Sequence, residues 1–314
     1  MKSAQINKYG SSEVVKINQS TPEPIVTSGK VLVIIKAAGV NPVDWKIREG
    51  LMQQMISLQF PSTLGMDFSG VIKQVGEGVS PSDFKLGDEV YGQAGVISGG
   101  SGAFAEMALA NTESIAHKPK RLSHAEAAAL PLVGVSAWQA LTEDIGLSKG
   151  QKILIHGGAG GIGSIAIQLA KNVDAYVATT VSTNDKQFVQ ELGTDIVIDY
   201  KTQTFEDLLH DYDAVFDTVG GETYRRSSKV LKKGGIIVSM LEQPDSEIMN
   251  QYRVKAIFRF TQVNRERLTK LAQWVDQKSN IKIHVERTFS LYEVGKALDY
   301  QKDVHPRGKV VLTV

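Results

Sequence analysis

The chain has 314 residues, enough for two domains and a sizeable core. Lys and Arg number 35 against 34 Asp and Glu, a net charge of +1 with no basic stripe or acidic tail, which argues against nucleic acid or a membrane surface as the main partner. Cysteine is absent, so disulfides, thiolate nucleophiles and cysteine metal sites are excluded. The start, MKSAQINKYG, is polar, with no apolar signal segment, and no run of 18 apolar residues exists to span a membrane. A cytoplasmic location is the expectation.

Residues 1–118 read as short strands joined by glycine turns. KVLVIIKAAGV (30–40) and FSGVIKQVGEGV (68–79) are strand-like, DFKLGDEVYG (83–92) has a Gly-Asp turn before a strand, and GAFAEMALA (102–110) is a further strand. No long helical period appears, apart from a turn or two within 43–57. The expectation is a β-rich, barrel-like domain over 1–122.

From residue 123 the style changes. SHAEAAALPLVGVSAWQAL opens with a serine and a glutamate three residues later, a capping-box pattern. Pro131 and Gly134 interrupt it, which predicts two helical pieces. Strands at 152–156, 175–180, 196–199, 214–217, 235–239 and 254–260 then alternate with helices at 162–171, 184–192, 204–210 and 223–231. That alternation predicts a doubly wound parallel sheet over 123–261. A charged amphipathic helix follows, with Leu268, Leu271, Ala272 and Val275 on one face, then the strand-like KIHVERTF and GKVVLTV. The segment 254–260 is the last strand and an apolar edge, which predicts a homodimer joined there.

The stretch HGGAGGIGSIAIQLAK (156–171) is the most informative. A β-branched strand, KILI (152–155), leads into glycines and then a helix that is apolar over most of its surface. Gly158, Gly160 and Gly163 fit G-x-G-x-x-G in that setting, where the glycines permit a tight turn and close backbone approach to a pyrophosphate. The helix start offers free N–H groups to the anion. A glycine-rich connector with no ligand is the bland alternative. The second strand should end in an acid if the cofactor is NAD. Here AYVATTVSTNDK (175–186) ends in hydroxyls, and Ser182, Lys186 and Tyr200 are the candidates to receive a 2′-phosphate. That points to NADPH.

The motifs GVNPVDWKIREG (39–50), LGMDFSGVI (64–72), FKLGDEVYG (84–92), the glycine loop, FDTVGG (216–221) and RGKVVL (307–312) occur in that order. Together they resemble the zinc-independent quinone oxidoreductase branch of the medium-chain dehydrogenase/reductase superfamily. The resemblance implies an α/β protein: a GroES-like catalytic domain, 1–122 completed by 262–314, and a Rossmann domain inserted between. It further implies pyrophosphate contacts at Ala159, Gly160, Gly161 and Ile162. Val219, Met240 and Leu241 would line the nicotinamide ribose, Phe258 and Phe260 would close over the cofactor, and Arg307 would reach the ribose phosphate.

Zinc members of that superfamily carry a cysteine after the glycine of the first motif, and a Gly-His-Glu. This chain has Asn41, and Met66-Asp67 after Gly65. Its six histidines are scattered, so the three ligands a catalytic zinc needs are missing. No metal is expected. A substrate that is itself a good hydride acceptor then fits best: a quinone or an α,β-unsaturated carbonyl. Asn41 and Lys46 are the candidate catalytic groups, Lys46 as proton donor or enolate stabiliser, with an exposed lysine as its alternative. Trp45 and Tyr91 are candidate walls for a flat substrate. A protein that binds NADPH without turnover, a redox sensor or assembly factor, is the alternative function.

Overall fold

The computed structural model describes all 314 residues, and they form two units: Met1–Leu132 with Val263–Val314, and Val133–Gln262. The first unit therefore also holds the segment opened by Ser123. Its capping box is formed, with Ser123 N donating to Glu126 Oε2 at 2.9 Å and Glu126 N to Ser123 Oγ at 3.3 Å. The short helix it starts lies so close to the first unit's sheet that a Cβ on Gly39 would collide with the Ala128 carbonyl. That contact moves the boundary past the change in sequence style.

The first unit contains strands β1 (Ser3–Ile6), β2 (Val15–Asn18), β3 (Lys30–Val40), β4 (Ser62–Thr63), β5 (Asp67–Val75), β6 (Glu89–Gln93), β7 (Met107–Asn111) and β8 (Ile115–His117). One sheet runs β2-β1-β4, and in the other β3, β5, β6 and β8 are successive neighbours, with β7 also paired to β3. β3 is buried along most of its length, as its near-continuous apolar run requires. Its helices include α1 (Pro42–Arg48) and α2 (His124–Ala128).

The second unit begins near α3 (Pro131–Trp138) and contains β9 (Lys152–His156), α4 (Gly161–Asn172), β10 (Tyr176–Val181), α5 (Lys186–Glu191), β11 (Ile196–Asp199), α6 (Phe205–Leu208), β12 (Tyr212–Asp217), α7 (Gly221–Ser227), β13 (Leu231–Ser239), α8 (Ser246–Tyr252) and β14 (Lys255–Phe258). These strands make one parallel sheet in the order β11-β10-β9-β12-β13-β14. The order reverses between β10 and β12 on either side of β9, and ligands bind α/β sheets beyond the strand ends at such a switch point. α4 is buried without a break from Gly163 to Ala170, which explains why its apolar residues do not keep to one stripe.

The chain then returns to the first unit through α9 (Arg265–Gln277), β15 (Val285–Ser290), α10 (Val294–Asp303) and β16 (Lys309–Thr313). β15 pairs parallel with β16, and β16 pairs antiparallel with β3, which seats the C-terminal strand inside the seven-stranded sheet. The buried face of α9 is Leu268, Leu271, Trp274 and Val275. α10 had no counterpart in the periodicity reading, yet it buries Val294, Ala297 and Leu298. No helix is long and apolar enough to cross a membrane.

Candidate functional site

Two polar constructions stand out, one in each unit. In the second unit the turn after β9 is built on missing side chains. Gly157 has φ +69°, in the left-handed region that favours glycine. A Cβ on Gly158 would strike the Thr179 hydroxyl on β10, and one on Gly163 would strike the Gly157 carbonyl. The loop is thus a tight cradle at the start of α4, with backbone N–H groups available to an anion. A pyrophosphate fits it, and Ala159, Gly160, Gly161 and Ile162 lie in or just after the turn.

His156, the last residue of β9, does not serve as a ligand. It is fully buried, with Thr180 Oγ1 3.0 Å from Nδ1 and Ser227 Oγ 2.9 Å from Nε2. Ser227 Oγ donates to the Thr223 carbonyl at 2.6 Å, so Nε2–H donates to Ser227 and Nδ1 accepts from Thr180. Burial depresses its pKa to about 3, which keeps the ring neutral.

Asp217, at the end of β12, was not singled out by sequence reasoning, although it lies within FDTVGG. It is fully buried and accepts from the N–H groups of Val219 (3.0 Å) and Gly220 (2.9 Å) and from the Ser239 hydroxyl (2.6 Å). Ser239 Oγ in turn accepts from the N–H groups of Leu241 (3.1 Å) and Glu242 (3.0 Å). One carboxylate therefore shapes both loops that carry Val219, Met240 and Leu241. Val219 and Leu241 are about half exposed, too open for plain core residues. Phe258 is half-buried at the end of β14, and Phe260 beyond it is exposed.

The ribose end departs from the sequence expectation. β10 carries no acid at its end, but the fold brings two carboxylates there. Ser182 Oγ donates to Asp185 Oδ2 at 2.5 Å. Lys186 Nζ lies 3.1 Å from Asp199 Oδ2, supplied by the neighbouring strand β11, where Asp199 pairs in register with Val181. The Thr183 hydroxyl bonds the same carboxylate and, with the Lys201 N–H and Lys186, holds its pKa below the usual value. Tyr200 is exposed beside it.

In the first unit, Asn41 caps α1 and is fully buried. Its Oδ1 accepts from Lys309 Nζ at 2.6 Å and its Nδ2 donates to Asp67 Oδ2 at 3.0 Å. A cation on one side and an anion on the other fix the orientation of the amide. Lys309 also donates to the Val40 carbonyl. Asp67 takes two further donors, Gln93 Nε2 at 2.8 Å and Leu132 N at 3.0 Å. Asp44 Oδ2 accepts from Asn41 N at 2.8 Å, while its Oδ1 is buried without a hydrogen bond, and the residue lines a small pocket with Thr63, Met66 and Gly95. Burial pushes Asp44 and Asp67 up and Lys309 down, each towards its neutral form. The donors already filling Asp67 leave no metal ligand set there, and nowhere do three His, Cys, Asp or Glu side chains gather.

The other first-unit candidates are less engaged with one another. Tyr91 is fully buried, and its hydroxyl donates to the Leu268 carbonyl at 2.7 Å, so it has no face to offer a substrate and the expectation of a pocket wall is corrected. Trp45 packs against the core, and its ring lies under two ammonium groups, Lys302 at 5.1 Å and Lys46 at 5.7 Å. Lys46 is half-buried on α1 and belongs to no hydrogen-bonded cluster with Asn41. Arg307 is half-buried near His284.

Comparison with known proteins decides the family. Residues 27–120 match the family model described as an alcohol dehydrogenase GroES-like domain, and residues 192–312 match that of a zinc-binding dehydrogenase. The chain is 38% identical to the 2-methylene-furan-3-one reductase of Solanum lycopersicum, across 99% of this chain and 79% of that protein. The chain belongs to the quinone oxidoreductase branch of the medium-chain dehydrogenase/reductase superfamily. It is 34% identical to the chloroplastic NADPH-dependent alkenal/one oxidoreductase of Arabidopsis thaliana, across 99% of this chain and 79% of that one. The quinone oxidoreductase structure from Coxiella burnetii superposes with a TM-score of 0.89 at 33% identity, covering 100% of this chain and 99% of that one. The GroES-like and Rossmann architecture expected from the motifs is thus the architecture present.

Proposed function

We propose that this chain is an oxidoreductase that reduces a quinone or an α,β-unsaturated carbonyl with NADPH, without a metal. The observation that carries the reading is the glycine cradle before α4, in a chain that aligns over 99% of its length with a 2-methylene-furan-3-one reductase. The bound dinucleotide supplies the hydride. The chain's own residues hold the pyrophosphate at 158–163, frame the nicotinamide side with Val219, Met240 and Leu241, and meet the 2′-phosphate end with Lys186, Ser182 and Tyr200. Asn41, buried and bonded at both ends of its amide, holds the start of α1 in place and is not a group that touches the substrate. A conjugated acceptor delocalises the incoming charge, so orientation supplies most of the rate and no Lewis acid is required.

Three measurements test this. Absorbance should report NADPH oxidation by a panel of quinones and enals but not by simple ketones, and chelation should not change the rate. NADPH should bind at least about tenfold tighter than NADH, about 1.4 kcal/mol. Equal dissociation constants, or activity lost to a chelator and restored by zinc, overturn the corresponding part. We also propose a homodimer paired through β14, the exposed sheet edge. Light scattering that returns a single 34.2 kDa chain counts against it.

A further inference from the structure

The buried carboxylates of this chain have distinct partners. Asp67 is met by Asn41, Gln93 and a peptide N–H, and Asp217 by two peptide N–H groups and a serine. Asp199 is ion-paired with Lys186, a cation that the cofactor reading needs for another purpose. We propose that Asp199 is a specificity-determining residue of the cofactor site, a carboxylate from the third strand that engages Lys186 and so weakens the preference for a 2′-phosphate over a free 2′-hydroxyl. The inference rests on the dinucleotide reading of this unit.

Three observations carry it. Asp199 pairs with Val181, one residue before Ser182, so its charge lies one strand over from the end of the second strand, where the NAD-type acid is expected. Its side chain is only 1% exposed and that of Lys186 is 40% exposed, so the carboxylate is fixed beneath a cation that still reaches solvent. Thr183 Oγ1 at 2.6 Å and Lys201 N at 3.1 Å hold the carboxylate in place. Asp185, which takes the Ser182 hydroxyl, adds a second negative group. A phosphate arriving here has to share the ammonium with Asp199. A ribose hydroxyl does not meet that cost.

The test is direct binding, by titration of NADPH and NADH against wild type, Asp199→Asn, Lys186→Met and the double variant. Asparagine keeps an oxygen for Lys201 N, turns its NH2 towards the Thr183 hydroxyl, which can accept from it, and removes the charge. Asp199→Asn should tighten NADPH by about tenfold and leave NADH within about twofold. In the Lys186→Met background that gain should disappear, because the cation it releases is gone. Lys186→Met alone should weaken NADPH only about two- to fivefold, since the ammonium is already shared. Asp199→Asn that weakens NADPH, or that moves both cofactors equally, overturns the proposal, as does a gain that survives without Lys186. Should Asp199→Asn fail to fold, Lys186→Met decides: a loss of NADPH affinity beyond about thirtyfold shows an uncommitted cation and overturns it. A wild type that binds neither dinucleotide fails the cofactor reading and the proposal with it. A wild type that binds both, with a ratio Asp199→Asn leaves unchanged, fails the proposal alone.

Discussion

The two polar constructions solve opposite problems. The cradle of the second unit is made of absence: Gly158 and Gly163 leave room, and the backbone supplies the hydrogen bonds. The cluster of the first unit is made of side chains that consume one another, with Asn41 held between Lys309 and Asp67. An empty cradle invites a ligand and tolerates no added atom. A filled cluster invites none, and its sensitivity lies in the loss of a partner.

The largest effect should come from the filled cluster. Lys309→Met leaves Asp67 and Asp44 buried without their cation, and removing one partner of a buried ionic cluster costs about 3–5 kcal/mol. The urea midpoint should fall accordingly, and Lys309→Met with Asp67→Asn should recover part of the loss. A change below about 1 kcal/mol would mean that the cluster is already neutral without Lys309. The cradle should answer next. Gly163→Val drives a side chain into the Gly157 carbonyl and should weaken NADPH binding by about a hundredfold or more. Gly160→Ala, whose Cβ would meet nothing nearer than 3.4 Å, should keep the fold. Equal behaviour of the two variants would remove the steric account of the cradle.

That contrast also explains what the sequence discloses. A cradle of glycines between a β-branched run and an apolar helix is local, contiguous and written in backbone-permissive residues, so 158–163 were legible. The second unit's alternation was legible for the same reason: each strand and helix carries its own period. The partners of Asn41 were not, because Lys309 joins it only when β16 pairs with β3 across 268 positions of chain. Asp199 escaped for a related reason. The acid was sought on the second strand, and parallel pairing delivers it from the third. Tyr91 failed differently, since an aromatic residue reads alike as core and as pocket wall until its hydroxyl finds the Leu268 carbonyl.

Acidity separates the two regions as well. His156 in the second unit has its pKa depressed to about 3, so the unfolded chain binds a proton between about pH 3 and 6.5 that the folded chain refuses. Stability from this group therefore rises with pH across that window. Asp44 in the first unit is shifted the other way: the folded chain keeps a proton that the unfolded chain releases above about pH 4. Stability from Asp44 falls as pH rises from there. Urea midpoints between pH 4 and 6.5 should then rise less steeply in His156→Gln than in wild type and more steeply in Asp44→Asn, each by at most about 1.4 kcal/mol per pH unit. Parallel curves for all three would mean that neither group carries its shift.

The smallest effect should be at Lys46. It was a candidate because its place in the NPVDWKIR motif is near the family's chemistry, and because an ammonium can hand a proton to an enolate. In the structure its ammonium lies 5.7 Å from the centre of the Trp45 ring, where Lys302 also sits at 5.1 Å, tied in addition to Glu49 at 2.8 Å. Trp45 thus keeps a cation when Lys46 is removed, and Asn41 keeps both of its partners. Lys46→Ala should leave stability within about 0.5 kcal/mol. The decisive reading is kcat with a quinone and with an enal. A value within about twofold of wild type assigns the proton to solvent and leaves hydride placement as the source of rate. A general acid contributes about 10²–10⁴-fold, so a loss in that range for both acceptors would return Lys46 to the chemistry and make the first unit a supplier of protons as well as of shape.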